Sequence, residues 1–291
     1  MASAKDLRKR ISTVKNTQQI TKAMKMVSAA KLRRAQDNIF ALRPYAHEVN
    51  GVIASLARAG GTDFTHPLLT PKEEEGEHTS VLVVIVTSDR GLCGAFNANV
   101  IKAAQRYVRT HAHKYKKFDL AFIGKKGYEY FKNRRPGKYY ANFFQGLKFA
   151  KSQVLAQELI QAHLDGEYDE IKFIYNEFKS AISQKVNVET FLPIRAPEEA
   201  AGTEMSLTIY EPGPVEILDK LLPRHFAVQA HRVLLESLAS EHGARMAAME
   251  SATKNAGEMI KKITLLYNKT RQAGITKELL EIVSGTEAQK G

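Results

Sequence analysis

Residues capable of chemistry are plentiful in this sequence, but few stand at the spacings that chemistry requires. The loop Ser88-Asp89-Arg90-Gly91-Leu92-Cys93-Gly94 follows an apolar run and leads into a helical pattern. Backbone amides at such a helix start can cradle a phosphate. The spacing Gly91-x-x-Gly94, however, matches neither of the two nucleotide fingerprints, G-x-G-x-x-G and G-x-x-x-x-G-K-S/T. Gly124-Lys125-Lys126-Gly127 is a weaker version of the same signal, and glycines in strand-to-helix turns are commonly structural. Cys93 could be drawn as a nucleophile beside one of nine histidines, yet no spacing brings such a pair together. A small buried thiol is the commoner role. His225, His231 and His242 share one helical stretch at separations of 6 and 11 residues, which does not give the i, i+4 pair of a one-face metal site. These patterns point to no catalytic residue, no metal and no cofactor.

Charge is the stronger signal. The chain of 291 residues carries a formal +12, and residues 1–36 hold ten Lys or Arg (5, 8, 9, 10, 15, 22, 25, 31, 33 and 34) against one acid, Asp6. Such a field attracts nucleic acid, an anionic lipid surface or an acidic protein. It is also compatible with a solvated helix face that has no special partner. The stretch lacks the interleaved aromatics that stack bases, which lowers the nucleic-acid reading. There is no run of 18 apolar residues to span a membrane. The start has no apolar core of a secretory signal, and it enters a patterned helix at once. A lone cysteine fits a reducing compartment, so a cytoplasmic protein is expected.

The elements that would position these residues fall into three parts: a helix over 1–57, an inserted α/β domain over 58–211, and a helical segment over 212–291. In the first, Leu7, Ile11 and Val14 open a 4,3 heptad spacing, and Leu32, Ala35, Ile39, Leu42, Ala46, Val49, Ile53 and Leu56 continue it. Between them the seam positions Gln18, Thr21, Lys25 and Ser28 are polar, while apolar residues move to Ile20, Met24 and Val27. That sideways step predicts a helix that changes what it faces. Pro44 predicts a kink. In the last part, Pro223 is expected to stop or bend a short apolar helix, and a long one follows from Arg224. Its seam is read as Met249, Ala252, Ala256, Met259, Ile263, Leu266, Thr270 and Ala273. Gly243, Ala244, Ala247, Ala248, Ala252, Ala256 and Gly257 suggest another backbone close by. Each terminal helix would be roughly 75–90 Å long, too long to bury its stripe in one globule. The two ends are therefore expected to pair as a long antiparallel coiled coil. In the middle, strands at 79–87, 118–123, 170–176, 186–193 and 205–210 alternate with helices at 96–110, 126–132 and 153–164. That alternation implies a mainly parallel, Rossmann-like sheet. Residues 60–78 look like a flexible connection.

Three stretches resemble one family: Ile20–Lys31, Ser88–Asn97 and Arg271–Ala288. Together they are similar to the gamma subunit of the bacterial rotary F-type ATP synthase. The resemblance covers nearly the whole chain, and its closing stretch is the most specific. It implies a noncatalytic central rotor stalk that couples proton flow to ATP synthesis or hydrolysis. The paired helices would stand inside a hexamer of alpha and beta subunits, with the base on the epsilon subunit and the membrane c ring. By the resemblance, Met24 and Lys25 meet the lever region of beta, and Arg271, Gln272, Thr276 and Glu278 touch beta higher up. Ile282 and Val283 form the bearing tip, and Tyr210 and Glu211 a foot facing epsilon and the c ring. The location implied is peripheral, on the cytoplasmic face of the cell membrane. No role passes to Ser88–Gly94. The cysteine-bearing insert of the chloroplast form is missing, so thiol control is not expected. Two alternatives remain on the residues alone: a coiled-coil nucleic-acid or adaptor protein using the basic first helix, and a nucleotide-binding enzyme.

Overall fold

The run Ser80–Val86 is buried at every position, so both faces of this strand must be covered. The computed structural model, which describes residues 3–59, 66–69, 79–181, 183–194, 211 and 213–288, shows how. The elements follow the order α1 (Ala4–Ala59), β1 (Ser80–Val86), α2 (Phe96–His111), a 3-10 turn (Ala112–Lys114), β2 (Lys117–Ile123), α3 (Lys125–Phe131), β3 (Lys138–Tyr140), α4 (Phe149–Leu164), β4 (Glu170–Phe178), β5 (Gln184–Leu192) and α5 (Pro214–Ala288). The sheet order is β3-β2-β1-β4-β5. The first four strands are parallel, and β5 returns antiparallel along β4 with Leu192 opposite Ile171.

Alternation along β1 divides the core. Val81, Val83 and Ile85 meet Val100 and Ala104 of α2 and Phe131 of α3. Leu82, Val84 and Val86 face Leu155 and Leu159 of α4, Leu218, Leu222 and Phe226 of α5, and Val49, Ile53 and Leu56 of α1. The chain forms a mixed α/β body with helical ends, in two compact units. One comprises Ala29–Arg245 and the other Met1–Ser28 with Met246–Gly291. No helix among the described residues is long and apolar enough to cross a membrane.

Several expectations are corrected here. Pro223 neither stops nor divides the last helix: α5 is continuous through it. Leu222 and Phe226, on either side of the ring, are both fully buried, and their packing outweighs the backbone bond that proline removes. Pro44, where a kink is expected, lies inside α1 on its exposed side, between the buried Ile39 and Val49. The short edge strand β3 was missed, because three residues are too few to show a period. The helices extend to Phe149 and His111. The expected strand at 205–210, most of the connection at 60–78 and the side chain of Ala46 lie outside the described residues.

Phe226 is fully buried between Phe191 and the helices. Its replacement by Ala should lower the unfolding free energy by about 3–5 kcal/mol in a denaturant titration. Leu266→Ala, at a half-exposed position, should change it by less than about 0.5 kcal/mol.

Candidate functional site

The unit formed by the two chain ends consists of α1 up to Ser28 and α5 from Met246. The helices run opposite ways where they touch. The Gln18 amide donates to the Thr253 carbonyl at 3.3 Å, the Thr21 and Thr253 hydroxyls are 2.7 Å apart, and Lys25 Nζ meets Glu250 at 2.6 Å. Leu7, Thr21 and Ser28 are buried, whereas Ile20 and Val27 are 60% and 56% exposed.

The helix therefore does not turn its seam aside between Gln18 and Ser28. It keeps facing its partner with polar side chains, and their hydrogen bonds replace the missing apolar contact. The apolar residues at Ile20 and Val27, with Met26 beside them, are left facing solvent. Nine of the ten basic residues are exposed as well, and the tenth, Lys25, is half-buried against Glu250.

On α5 half of the expected seam is correct. Met249 and Ala256 are buried and Ile263 and Thr270 half-buried, but Met259 and Leu266 are each 50% exposed. The alternate rungs are Thr253, Ile260 and Tyr267, one residue further on. Both registers offer apolar side chains at a heptad step, so periodicity alone does not separate them. Thr253 and Glu250, whose side chains meet α1, carry no apolar signal at all. Gly257 fits the small-residue reading, since a Cβ there would come within 3.0 Å of the Gln18 amide. Gly243 does so elsewhere, against the Ala181 carbonyl of the β4–β5 turn.

Beyond Thr270 the helix has no cover. Every residue from Arg271 to Thr286 is exposed, including Arg271, Gln272, Thr276 and Glu278. Ile275, Leu279, Leu280, Ile282 and Val283 are all exposed there. Eighteen helical residues span about 27 Å. Met24 is half-buried on α1, Glu211 is exposed just before α5, and Tyr210 lies outside the described residues.

The loop Ser88–Gly94 belongs to the other unit and closes on itself. The Asn97 carboxamide accepts the Ser88 amide at 3.0 Å and donates to the Ser88 hydroxyl at 2.8 Å, and Ser88 Oγ donates to the Arg90 carbonyl at 2.6 Å. Leu92 and Gly94 take positive φ. Arg245, buried on α5, pairs with Glu241 at 2.7 Å and donates to the Gly91 carbonyl at 3.2 Å. The weaker glycine motif, Gly124–Gly127, has its amides taken. Asp89 accepts the Lys125 amide and Thr87 Oγ1 accepts the Gly127 amide, so the start of α3 is already capped. A Cβ at Gly124 would lie 2.0 Å from the Thr87 carbonyl, which makes that glycine structural. Cys93 is buried, and burial pushes its thiol up. The three histidines occupy separate surroundings. His231 pairs with Ser152 at 2.8 Å, His225 packs on Phe226, and His242 sits beside Arg245. Among the described residues no group of His, Cys, Asp and Glu could hold a metal.

A mixed α/β unit, together with a unit of paired terminal helices whose last stretch leaves apolar residues uncovered, has the elements of a stalk protein. The family model described as ATP synthase matches residues 3–289. Among curated relatives, the ATP synthase gamma chain of Geotalea daltonii is 52% identical over all of both chains, and that of Bdellovibrio bacteriovorus 47%. A central stalk and c-ring structure of the Tetrahymena thermophila mitochondrial ATP synthase superposes with a TM-score of 0.59 at 27% identity, covering 80% of this chain and 99% of that one. A Euglena gracilis mitochondrial ATP synthase chain covers 98% of this chain and 94% of its own, with a TM-score of 0.64 at 23% identity, and shares the fold. The chain belongs to the ATP synthase gamma-chain family.

Two tests follow from the geometry. The Thr21 and Thr253 hydroxyls share a 2.7 Å bond and each also reaches a carbonyl of its own helix, so Thr21→Val alone should cost no more than about 1 kcal/mol, and a thermal double-mutant cycle with Thr253→Val should return a coupling of about 0.5 kcal/mol. His225 and His242 are pushed down to about 4, by burial first and then by neighbouring cations. Both are neutral in the folded chain, whereas the unfolded chain protonates them near pH 6.5. Stability should therefore be complete above that pH and fall as pH drops toward 4, by about 1.4 kcal/mol per pH unit for each histidine. His242→Gln should halve that part of the slope in unfolding titrations across the window.

Proposed function

We propose that this chain is the central rotor stalk of an F-type ATP synthase, transmitting torque between a membrane c ring and a catalytic alpha/beta hexamer. It carries no catalytic site of its own. The observation that supports this best is the tip of α5, where sixteen consecutive residues, Arg271–Thr286, are exposed and five of them are large aliphatics. A helix with an uncovered apolar stripe needs a partner from outside the chain, and an apolar sleeve supplies one without gripping a turning rod. On this reading the terminal helices form an antiparallel coiled coil, with a Rossmann-like domain between them. The division is 1–57, 58–211 and 212–291.

Ile282 and Val283 are the bearing tip. Arg271, Gln272, Thr276 and Glu278 reach the beta subunits just below it, and Met24 and Lys25 reach their levers lower down. Lys25 shares its charge with Glu250 at 2.6 Å, so Met24 and the exposed Ile20 and Val27 would make the apolar part of that contact. The exposed cations of α1 suit acidic levers, and their attraction speeds docking more than it fixes affinity. Tyr210 and Glu211 form the foot toward epsilon and the c ring. The complex would sit at the cytoplasmic face of the bacterial membrane, this subunit being peripheral.

Removing the last twelve residues should leave the α/β unit folded by circular dichroism while lowering proton-driven ATP synthesis severalfold more than ATP hydrolysis. Undiminished synthesis would overturn the role given to the tip. Purified alone, the chain should retain no nucleotide.

A further inference from the structure

A second concentration of cations lies in residues 102–138, which hold twelve Lys or Arg against two acids, Asp119 and Glu129. Those at the end of α2, at the start of β2 and after α3 gather at one edge of the sheet, while Lys125 and Lys126 follow the carboxyl end of β2 at the other. α2 ends at His111, β2 begins at Lys117, and the loop after α3 returns over Phe118. Rings tie these pieces together. Tyr107 and Tyr115 pack 6.4 Å and 6.0 Å from Phe118, and Gln105 of α2 donates to the Tyr130 hydroxyl at 2.6 Å. The Arg135 guanidinium lies 5.8 Å from the Phe118 ring centre and that of Arg134 4.6 Å from Tyr130.

Around this half-buried spine Arg106, Arg109, Lys114, Lys132, Arg134 and Arg135 are all exposed, with no carboxylate at ion-pair distance among the described residues. The acids nearby are engaged elsewhere. Asp119 holds Tyr168 and Lys117, Glu129 holds Lys125 and Lys126, and Glu170 holds Lys172 and Tyr115. Glu167 and Asp165, exposed on the α4–β4 connection, bound the patch on that side.

This is the amino edge of the parallel strands. β5, running the other way, ends at the same edge, where Leu192 faces Ile171 at the start of β4. Early α5 is tied in close by: Asp219 meets His66, and the Pro67 carbonyl meets His163 at the end of α4. β5 is nevertheless the outer strand on the far side of β1 and β4 from β2, so this part of the chain shares the edge with the cations without lying beside them.

Cations spread over three elements suit an extended anionic plane better than a single small ligand. Lys and Arg stems over half-buried tyrosines are the chemistry of a membrane interface. Stacking of nucleic acid bases is disfavoured because the ring faces are occupied: Tyr107 stacks on His111 at 4.1 Å, and Arg134 and Arg135 cover Tyr130 and Phe118. We propose that the amino edge of the α/β unit is an electrostatic face for an anionic phospholipid surface. Its orientation rests on the rotor reading, in which the base of the stalk faces the membrane c ring.

The test uses the soluble complex of this chain with its alpha, beta and epsilon partners, mixed with vesicles of phosphatidylcholine alone or with added phosphatidylglycerol. The complex should sediment with the anionic vesicles only. Arg106→Gln/Arg109→Gln/Lys114→Gln/Lys132→Gln should weaken binding by roughly fivefold per removed cation, with an unchanged thermal midpoint. Arg8→Gln/Lys9→Gln/Arg10→Gln/Lys15→Gln, on the helix the hexamer would enclose, should leave it unchanged. Equal binding by the edge variant, equal loss in the α1 variant, or displacement of the vesicles by polyuridylic acid at matched charge would each overturn the proposal. Failure of the wild-type chain to assemble at all would instead count against the rotor reading.

Discussion

One constraint underlies the rest: α1 keeps a single heptad seam from Leu7 to Leu56, although the residues on that seam change character along the way. In its second half the seam is aliphatic, and Val49, Ile53 and Leu56 enter the core beneath the sheet. Between Gln18 and Ser28 it is hydroxyl, amide and amine, matched to Thr253 and Glu250. Because the period never slips, the apolar residues at Ile20 and Val27 cannot be buried by this chain. Their exposure follows from the phase of the helix.

The α/β unit depends on a different bond type. α5 is anchored there by apolar contact at Leu218, Leu222 and Phe226, and then by polar groups as it proceeds. Arg232 joins Glu189 of β5 and, at 3.2 Å, both Glu236 and the Tyr175 hydroxyl, while Ser240 donates to the Asn176 carbonyl at 3.0 Å. Arg245 ends the series on the carbonyls of the Ser88–Gly94 loop. Such directional bonds resist rotation of the helix about its own axis, which apolar packing alone does poorly. The loop that marks the family is thus built to receive an arginine.

Much of this was legible in the sequence, for physical reasons. The strand at 80–86 and the seam of α1 are dictated by burial, and burial leaves a period. Pro223 misled because its local cost is small beside the fully buried Leu222 and Phe226. The seam of α5 was half misread because apolar residues occupy both candidate registers, some of them facing outward for a partner. Arg245 gave no signal, since its partners are main-chain carbonyls and no side-chain pattern encodes them. The cations after Lys102 also passed unremarked, being dispersed in sequence and gathered only by the return of the chain over Phe118.

The polar stretch between Gln18 and Ser28 has a mechanical consequence. Oily rungs resist shear because any displacement opens a void, and the cost rises steeply with distance. Hydroxyl and amide rungs can exchange one acceptor for another or for water: the Thr21 hydroxyl already has the Gln18 carbonyl at 3.0 Å as an alternative, and that of Thr253 the Met249 carbonyl at 2.7 Å. Helices joined this way can shift locally against each other by exchanging acceptors, with no void to open.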